Sequence, residues 1–177
     1  MRKGEPMIKL LVLDVDGTLT DGGVYYDATG NELKKFGVRD GAGLMLARAA
    51  GIKIMICTGR ECKAVRRRAK DLHIDYVFQH VLDKAAHLAN FMAENGLTKA
   101  DVGYCGDDLN DLAAMLLCGF VACPADASPE IKAVADVVCP QKGGEGAVRG
   151  AVEALLKPAG LWAAAVKIAF HADVTGA

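Results

Sequence analysis

Hydrophobic and polar positions along this chain fall into two recurring patterns, short apolar runs of β-preferring residues and longer stretches of helical period. The apolar runs Ile8–Leu13, Ile52–Cys57, Tyr76–Phe78, Val102–Cys105, Phe120–Cys123 and Val137–Cys139 predict strands buried on both faces. Between them lie helix-forming stretches. These are Gly41–Ala50, closed by Gly51; Glu61–Leu72; Lys84–Glu94, ended by Asn95-Gly96; Leu109–Leu117; Pro129–Val134; and Ala147–Leu156. Strand alternating with helix predicts an α/β fold, a parallel sheet with helices on both faces.

The pattern breaks between Asp21 and Phe36. Val24-Tyr25-Tyr26 and Glu32–Phe36 flank Asp27-Ala28-Thr29-Gly30-Asn31, turn chemistry that predicts a small β-hairpin inserted after the first strand. The hairpin's open edges need cover, and pairing with another subunit is one way to supply it. After Pro158 the alanine-rich residues fit either a helix or a mobile tail. The expected organisation is one domain over residues 1–157, with the hairpin at about 21–36, and a C-terminal tail over 158–177.

Composition narrows the class. With 177 residues, 21 Lys plus Arg and 22 Asp plus Glu, the chain is nearly neutral and lacks the basic footprint of a nucleic-acid binder. The run Arg66-Arg67-Arg68 with Lys70 reads as a solvated helix face. Six cysteines form no C-x-x-C pair and have no histidine at zinc spacing; Cys57 and Cys105 fall inside strands. They read as reduced structural thiols of a cytoplasmic protein. Arg2 and Lys3 precede too short an apolar run for a signal peptide, and Leu161–Phe170 is too short to cross a membrane.

Four chemistry-bearing pieces close or follow strands. They are Asp14-Val15-Asp16-Gly17-Thr18, Thr58-Gly59-Arg60, Lys84 at a helix start, and Gly106-Asp107-Asp108-Leu109-Asn110-Asp111. Two aspartates one residue apart repel each other unless a cation lies between them, and hard carboxylate oxygens suit Mg²⁺. Phosphoryl transfer uses every piece. Asp14 serves as nucleophile, and Asp16 as the acid for the leaving alkoxide and then the base for water. Asp14, Asp107 and a carbonyl near Asp16 hold the metal. Thr58, the Gly59 amide and Lys84 take the phosphate, and Lys84 also orients Asp14. The acidic spacing is not that of an EF-hand.

Together the four pieces resemble the signature of the haloacid dehalogenase superfamily of aspartate-nucleophile phosphatases. From about Ile8 to Leu156 the chain further resembles the capless sugar-acid phosphatases of that superfamily. This likeness rests on Asp21-Gly22-Gly23, Gly30-Asn31-Glu32, Val38-Arg39-Asp40-Gly41, Asp83-Lys84 and Gly143–Arg149. The resemblance implies a Rossmann-like fold without a cap domain. It implies a homotetramer built through the hairpins, in which a neighbouring subunit roofs each site. It places Arg60 near the substrate and Arg149 on a substrate carboxylate. The implied reaction is Mg²⁺-dependent hydrolysis of the 8-phosphate of an eight-carbon 3-deoxy sugar acid, in lipopolysaccharide sugar biosynthesis.

One position departs from this pattern. Members acting on the eight-carbon acid often carry valine where this chain has Thr18. The Leu109-Asn110-Asp111 and Lys142–Gly146 wording is also similar to phosphatases of nine-carbon nonulosonate 9-phosphates, the alternative substrate. Arg60 and Val38-Arg39-Asp40 favour the eight-carbon reading. A non-catalytic tetramerisation module would be free to lose Asp14, Asp16, Lys84 or Asp107, and all four are present. A phosphomutase would need a cap larger than Asp21–Phe36.

Overall fold

The computed structural model describes residues 8–174; Arg2, Lys3 and the last three residues of the tail lie outside them. The apolar runs form six strands: β1 Leu10–Leu13, β4 Lys53–Cys57, β5 Tyr76–Phe78, β6 Val102–Cys105, β7 Phe120–Cys123 and β8 Val137–Val138. They make one parallel sheet in the order β5-β4-β1-β6-β7-β8. The chain therefore leaves β1 toward one edge and later resumes at its other side. That reversal opens a crevice at the carboxyl ends of β1 and β6, where such sheets place their ligands.

Alternation along β1 feeds two separate cores. Leu11 and Leu13 join Leu44, Ala47, Ala151 and Val152, while Leu10 and Val12 join Leu88, Ala114, Met115 and Ile131. The first cluster lies under helices α1 (Val38–Ala49), α2 (Lys63–Asp71) and α6 (Ala147–Leu156); the second lies under α3 (Lys84–Glu94), α4 (Leu109–Met115) and α5 (Pro129–Val134). After Pro158 the chain forms helix α7, Trp162–Phe170, whose Trp162, Ala165 and Val166 are buried in the first cluster. Of the two forms open to this segment, the described part takes the helical one. Among the described residues no helix is long and apolar enough to cross a membrane.

Strands β1, β4 and β8 and helices α2 and α4 (Lys63–Asp71 and Leu109–Met115) differ from the sequence pattern by one or two residues at their ends, and two elements differ more. Helix α1 begins at Val38, three residues before the expected Gly41, from an extended Gly37 that offers no capping side chain. Asp40 in its first turn is buried and accepts the Gly146 and Arg149 amides at 3.1 and 3.2 Å, so it caps the start of α6 instead. The hairpin is smaller than expected: β2 (Tyr25–Tyr26) pairs antiparallel with β3 (Glu32–Leu33), and a lone bridge joins Thr20 to Phe36. Asp27 closes its turn by accepting the Thr29 and Asn31 amides at 2.8 and 2.9 Å, with Gly30 in the left-handed region. Tyr25, Tyr26 and Leu33 are exposed on it.

Candidate active site

The Asp14 amide bonds the Cys105 carbonyl at 3.0 Å, carrying the ladder one step beyond β1. Continuing the strand alternation turns its side chain toward α3 and α4. Lys84, the first residue of α3, meets it there because Asp83 caps that helix, accepting the Ala86 amide at 2.9 Å. The Lys84 ammonium donates to Asp14 Oδ1 and to Asp111 Oδ1, each at 2.7 Å, and all three side chains are buried. Asp111 also accepts the Tyr104 hydroxyl at 2.8 Å on Oδ1 and the Asp107 amide at 3.1 Å on Oδ2. Burial opposes the charge on Lys84, but the Asp14 and Asp111 carboxylates outweigh it and raise its pKa.

Asp107 follows β6, the strand beside β1. Asp14, Asp107 and Asp111 each place one oxygen within 4.8 Å of the others. Burial, then the Asp111 charge, push Asp14 up to about 7; burial, then the Asp14 charge, do the same to Asp107. Asp111 has both oxygens engaged, and among the described residues no cationic side chain pairs with Asp107. What the cluster lacks is positive charge between Asp14 and Asp107.

The loop after β1 fits closely around Asp107. Gly17 has φ +88°, and a Cβ built there would lie 2.1 Å from Asp107 Oδ2. On the other side of this loop, a Cβ on Gly143 would lie 1.9 Å from the Gly17 carbonyl, and the Gly144 amide bonds the Thr18 carbonyl at 3.1 Å. The glycines of the Gly143–Arg149 segment thus let one loop back the other. Gly17→Ala is expected to lower the thermal midpoint by several degrees, since a left-handed alanine costs about 1–2 kcal/mol before Asp107 is displaced. Differential scanning calorimetry measures this, and an unchanged midpoint would contradict the packing.

Of the remaining expected residues, Asp16 and Arg60 belong to a second group. Thr58 follows β4 directly, its amide bonded to the Phe78 carbonyl at 3.0 Å and its side chain buried. Gly59 and Arg60 follow it. Asp16 meets the ammonium of Lys34 and lies 4.0 Å from Arg60 Nε. Glu32 joins the two cations, 2.8 Å from Arg60 and 2.8 Å from Lys34, and their contacts hold its carboxyl below the ordinary range. Arg149 is not brought to either group. It pairs with Glu153, one turn along α6, at 2.8 Å, and its guanidinium lies over the Trp162 ring at 5.7 Å from the centroid. The carboxylate it meets in this chain is therefore its own helix neighbour.

Comparison with known proteins gives this geometry its family. The model of the haloacid dehalogenase-like hydrolases matches residues 11–81 and 76–149. The chain belongs to that family. The 3-deoxy-D-manno-octulosonate 8-phosphate phosphatase of Haemophilus influenzae is 39% identical over 153 residues, 86% of this chain and 85% of its own. The Escherichia coli phosphatase of the same name is 40% identical over 149 residues, 84% of this chain and 79% of that one. Among solved structures, the Moraxella catarrhalis phosphatase in complex with magnesium, phosphate and KDO superposes with TM-score 0.83 at 39% identity. That match covers 87% of this chain and 88% of that one. The cobalt-bound H. influenzae enzyme gives 0.82 at 38%, over 90% and 92%.

Three residues of this hydrolase's site have no role in the sequence reading: Asp111, Glu32 and Lys34. Asp111 stands four residues after Asp107, a spacing that returns a side chain to the same side once a helix starts. Glu32 and Lys34 lie two apart at the hairpin's second strand, a spacing that shares one face. That this face turns back over Asp16 is not legible from spacing.

Proposed function

We propose that this chain is a Mg²⁺-dependent phosphomonoesterase that hydrolyses 3-deoxy-D-manno-octulosonate 8-phosphate to the free sugar acid and phosphate. The observation that carries this reading is the buried Asp14, held by Lys84 and facing Asp107 at the sheet's switch point, in a chain about 40% identical to such phosphatases. A divalent cation fits the carboxylates because their oxygens are hard donors and, among the described residues, Lys84 is the one cation paired within a cluster of three of them. Asp14, Asp107 and the main-chain carbonyl of Asp16 would hold Mg²⁺, which when bound offsets negative charge on the non-bridging phosphate oxygens.

The chain's own residues perform the transfer. A carboxylate oxygen of Asp14 forms a bond to phosphorus while the bond from phosphorus to the sugar oxygen breaks, and Asp16 gives its proton to the departing alkoxide. Asp16 then takes a proton from water as that water attacks phosphorus, which frees Asp14 and releases phosphate. Lys84 holds Asp14 in line, and with the Thr58 hydroxyl and Gly59 amide it binds the phosphate. Lys34 and Arg60 converge on Asp16 from the hairpin and the β4 loop, where an incoming sugar-acid carboxylate exchanges with Glu32 for their charge. For Arg149 to reach a substrate carboxylate it would have to leave Glu153.

The exposed Tyr25, Tyr26 and Leu33 of the two-stranded hairpin support pairing with other copies, and the proposed assembly is a homotetramer. The free, buried cysteines suit a reducing, cytoplasmic setting. We read residues 1–157 as the phosphatase domain, with α7 docked against it. Phosphate release measured on eight- and nine-carbon sugar-acid phosphates, with and without Mg²⁺, tests the function. Preference for a nonulosonate 9-phosphate would move the substrate, and no Mg²⁺-dependent release from either would overturn the reading.

The metal reading also predicts a pH-dependent stability. Asp14 and Asp107 keep their protons to about 7 when folded, whereas unfolded aspartates lose them near 4. Between those values the folded state holds more protons, so stability falls as pH rises. Metal-free protein is therefore expected to have a lower thermal midpoint at pH 8 than at pH 5. Mg²⁺ at about 100 times its dissociation constant should raise the pH 8 midpoint by roughly 5–10 °C, and the pH 5 midpoint by less.

A further inference from the structure

The carboxylate of Asp107 has a single side-chain hydrogen bond among the described residues, and its donor is Thr18. Thr18 is fully buried, and its Oγ1 lies 2.8 Å from Asp107 Oδ1. The rest of the residue is fixed as well. Its amide reaches the Val15 carbonyl at 3.3 Å, and its carbonyl accepts the Gly144 amide at 3.1 Å. A carboxylate can only accept, so the hydroxyl hydrogen points at Oδ1 whenever Asp107 is ionised. Gly17, one residue earlier, leaves room for Oδ2 because it has no Cβ. The Asp107 main chain is tied independently, its amide to Asp111 Oδ2 and its carbonyl to the Ser128 amide at 2.8 Å.

We infer that Thr18 is a positioning residue for the divalent cation: its hydroxyl fixes the rotation of the Asp107 carboxylate and so sets the affinity of the Asp14–Asp107 pair for Mg²⁺. The inference rests on the proposed role of that pair as the cation site and names what tunes it. Rotation about the terminal bond of an aspartate is broad, so a carboxylate without such a bond must be ordered at the moment it takes up the ion. Groups that orient a metal ligand in this way typically change affinity by 10–100-fold when removed. The loop after β1 thereby controls both sides of the pair. It carries Asp14 itself and holds Asp107 through Thr18.

Isothermal titration calorimetry of Mg²⁺ into metal-free full-length protein tests the assignment, with Thr18→Val and Thr18→Ser beside the wild type. Thr18→Val keeps the volume and loses the hydroxyl; Thr18→Ser keeps the hydroxyl. The expected result is a dissociation constant at least tenfold higher for Thr18→Val and within about threefold of wild type for Thr18→Ser. In phosphate release, the Mg²⁺ concentration for half-activation should shift with it, while kcat at saturating Mg²⁺ stays within a few-fold. Thr18→Ala is titrated as well, and gives the same comparison if the valine is not accommodated. Equal affinity of wild type and the hydroxyl-free variants overturns the assignment alone, as does equal weakening in Thr18→Ser and Thr18→Val. A wild-type protein that takes up no Mg²⁺ overturns the cation site and this assignment with it.

Discussion

Asp14→Asn is expected to lower phosphate release by more than about 1,000-fold while leaving a folded protein. The amide matches the carboxylate in shape and can still accept from Lys84, so the buried contact at 2.7 Å survives in kind. What it loses is the negatively charged oxygen proposed to form the bond to phosphorus, and removing a nucleophile of this sort abolishes the covalent route. Stability should change little or rise, because Asp14 is buried against the like charge of Asp111 and relieved of its own. Rapid acid quench with labelled substrate measures the outcome directly: phosphorylated protein accumulates in wild type and is absent from the variant. Retained turnover with a labelled intermediate elsewhere would place the nucleophile at another residue.

The second large effect is expected at Lys84. It is the only cation on two buried carboxylates among the described residues, at 2.7 Å from each. Lys84→Met keeps an unbranched side chain one atom shorter, removes the ammonium, and strands Asp14 and Asp111 together in the interior. Breaking a buried pair by removing one partner costs about 3–5 kcal/mol, which for a chain of this size lowers the thermal midpoint by roughly 6–20 °C. The loss should be smaller at pH 5 than at pH 8. Asp14, already pushed up by burial and the Asp111 charge, loses the Lys84 ammonium that holds it down, so protonation relieves it and the penalty grows as pH rises. Adding Asp111→Asn to Lys84→Met removes one stranded charge and should recover part of the stability and none of the activity. Thermal unfolding at the two pH values, paired with the phosphate assay, separates these effects.

The sequence makes most of this architecture legible because local patterns coincide with the folded elements. Tyr76–Phe78, Lys84–Glu94, Val102–Cys105 and Ala147–Leu156 have the same limits in pattern and in structure. Helix α1 escapes that logic: its first-turn Asp40 answers to amides more than 100 positions away, not to its own helix. The site behaves similarly. Asp14, Asp107 and Lys84 are visible because their residue types sit at strand ends and a helix start. Asp111 is opaque because its role comes from Lys84, 27 positions earlier, and from Tyr104 beneath it. Glu32 and Lys34 depend on how the hairpin folds back, which no periodicity encodes. Arg149 shows the converse: a cation in a suggestive motif, occupied by a glutamate one turn away.

The backing of the β1 loop by Gly143 and Gly144 has a consequence for the order in which the molecule comes into being. During synthesis Asp14, the proposed nucleophile, emerges more than a hundred residues before Gly143 and Gly144, the surface that shapes its loop. A ribosome-bound intermediate ending before that point carries every proposed reacting group and lacks the wall behind them. Competence thus arrives late, when the Gly143–Gly144 segment docks.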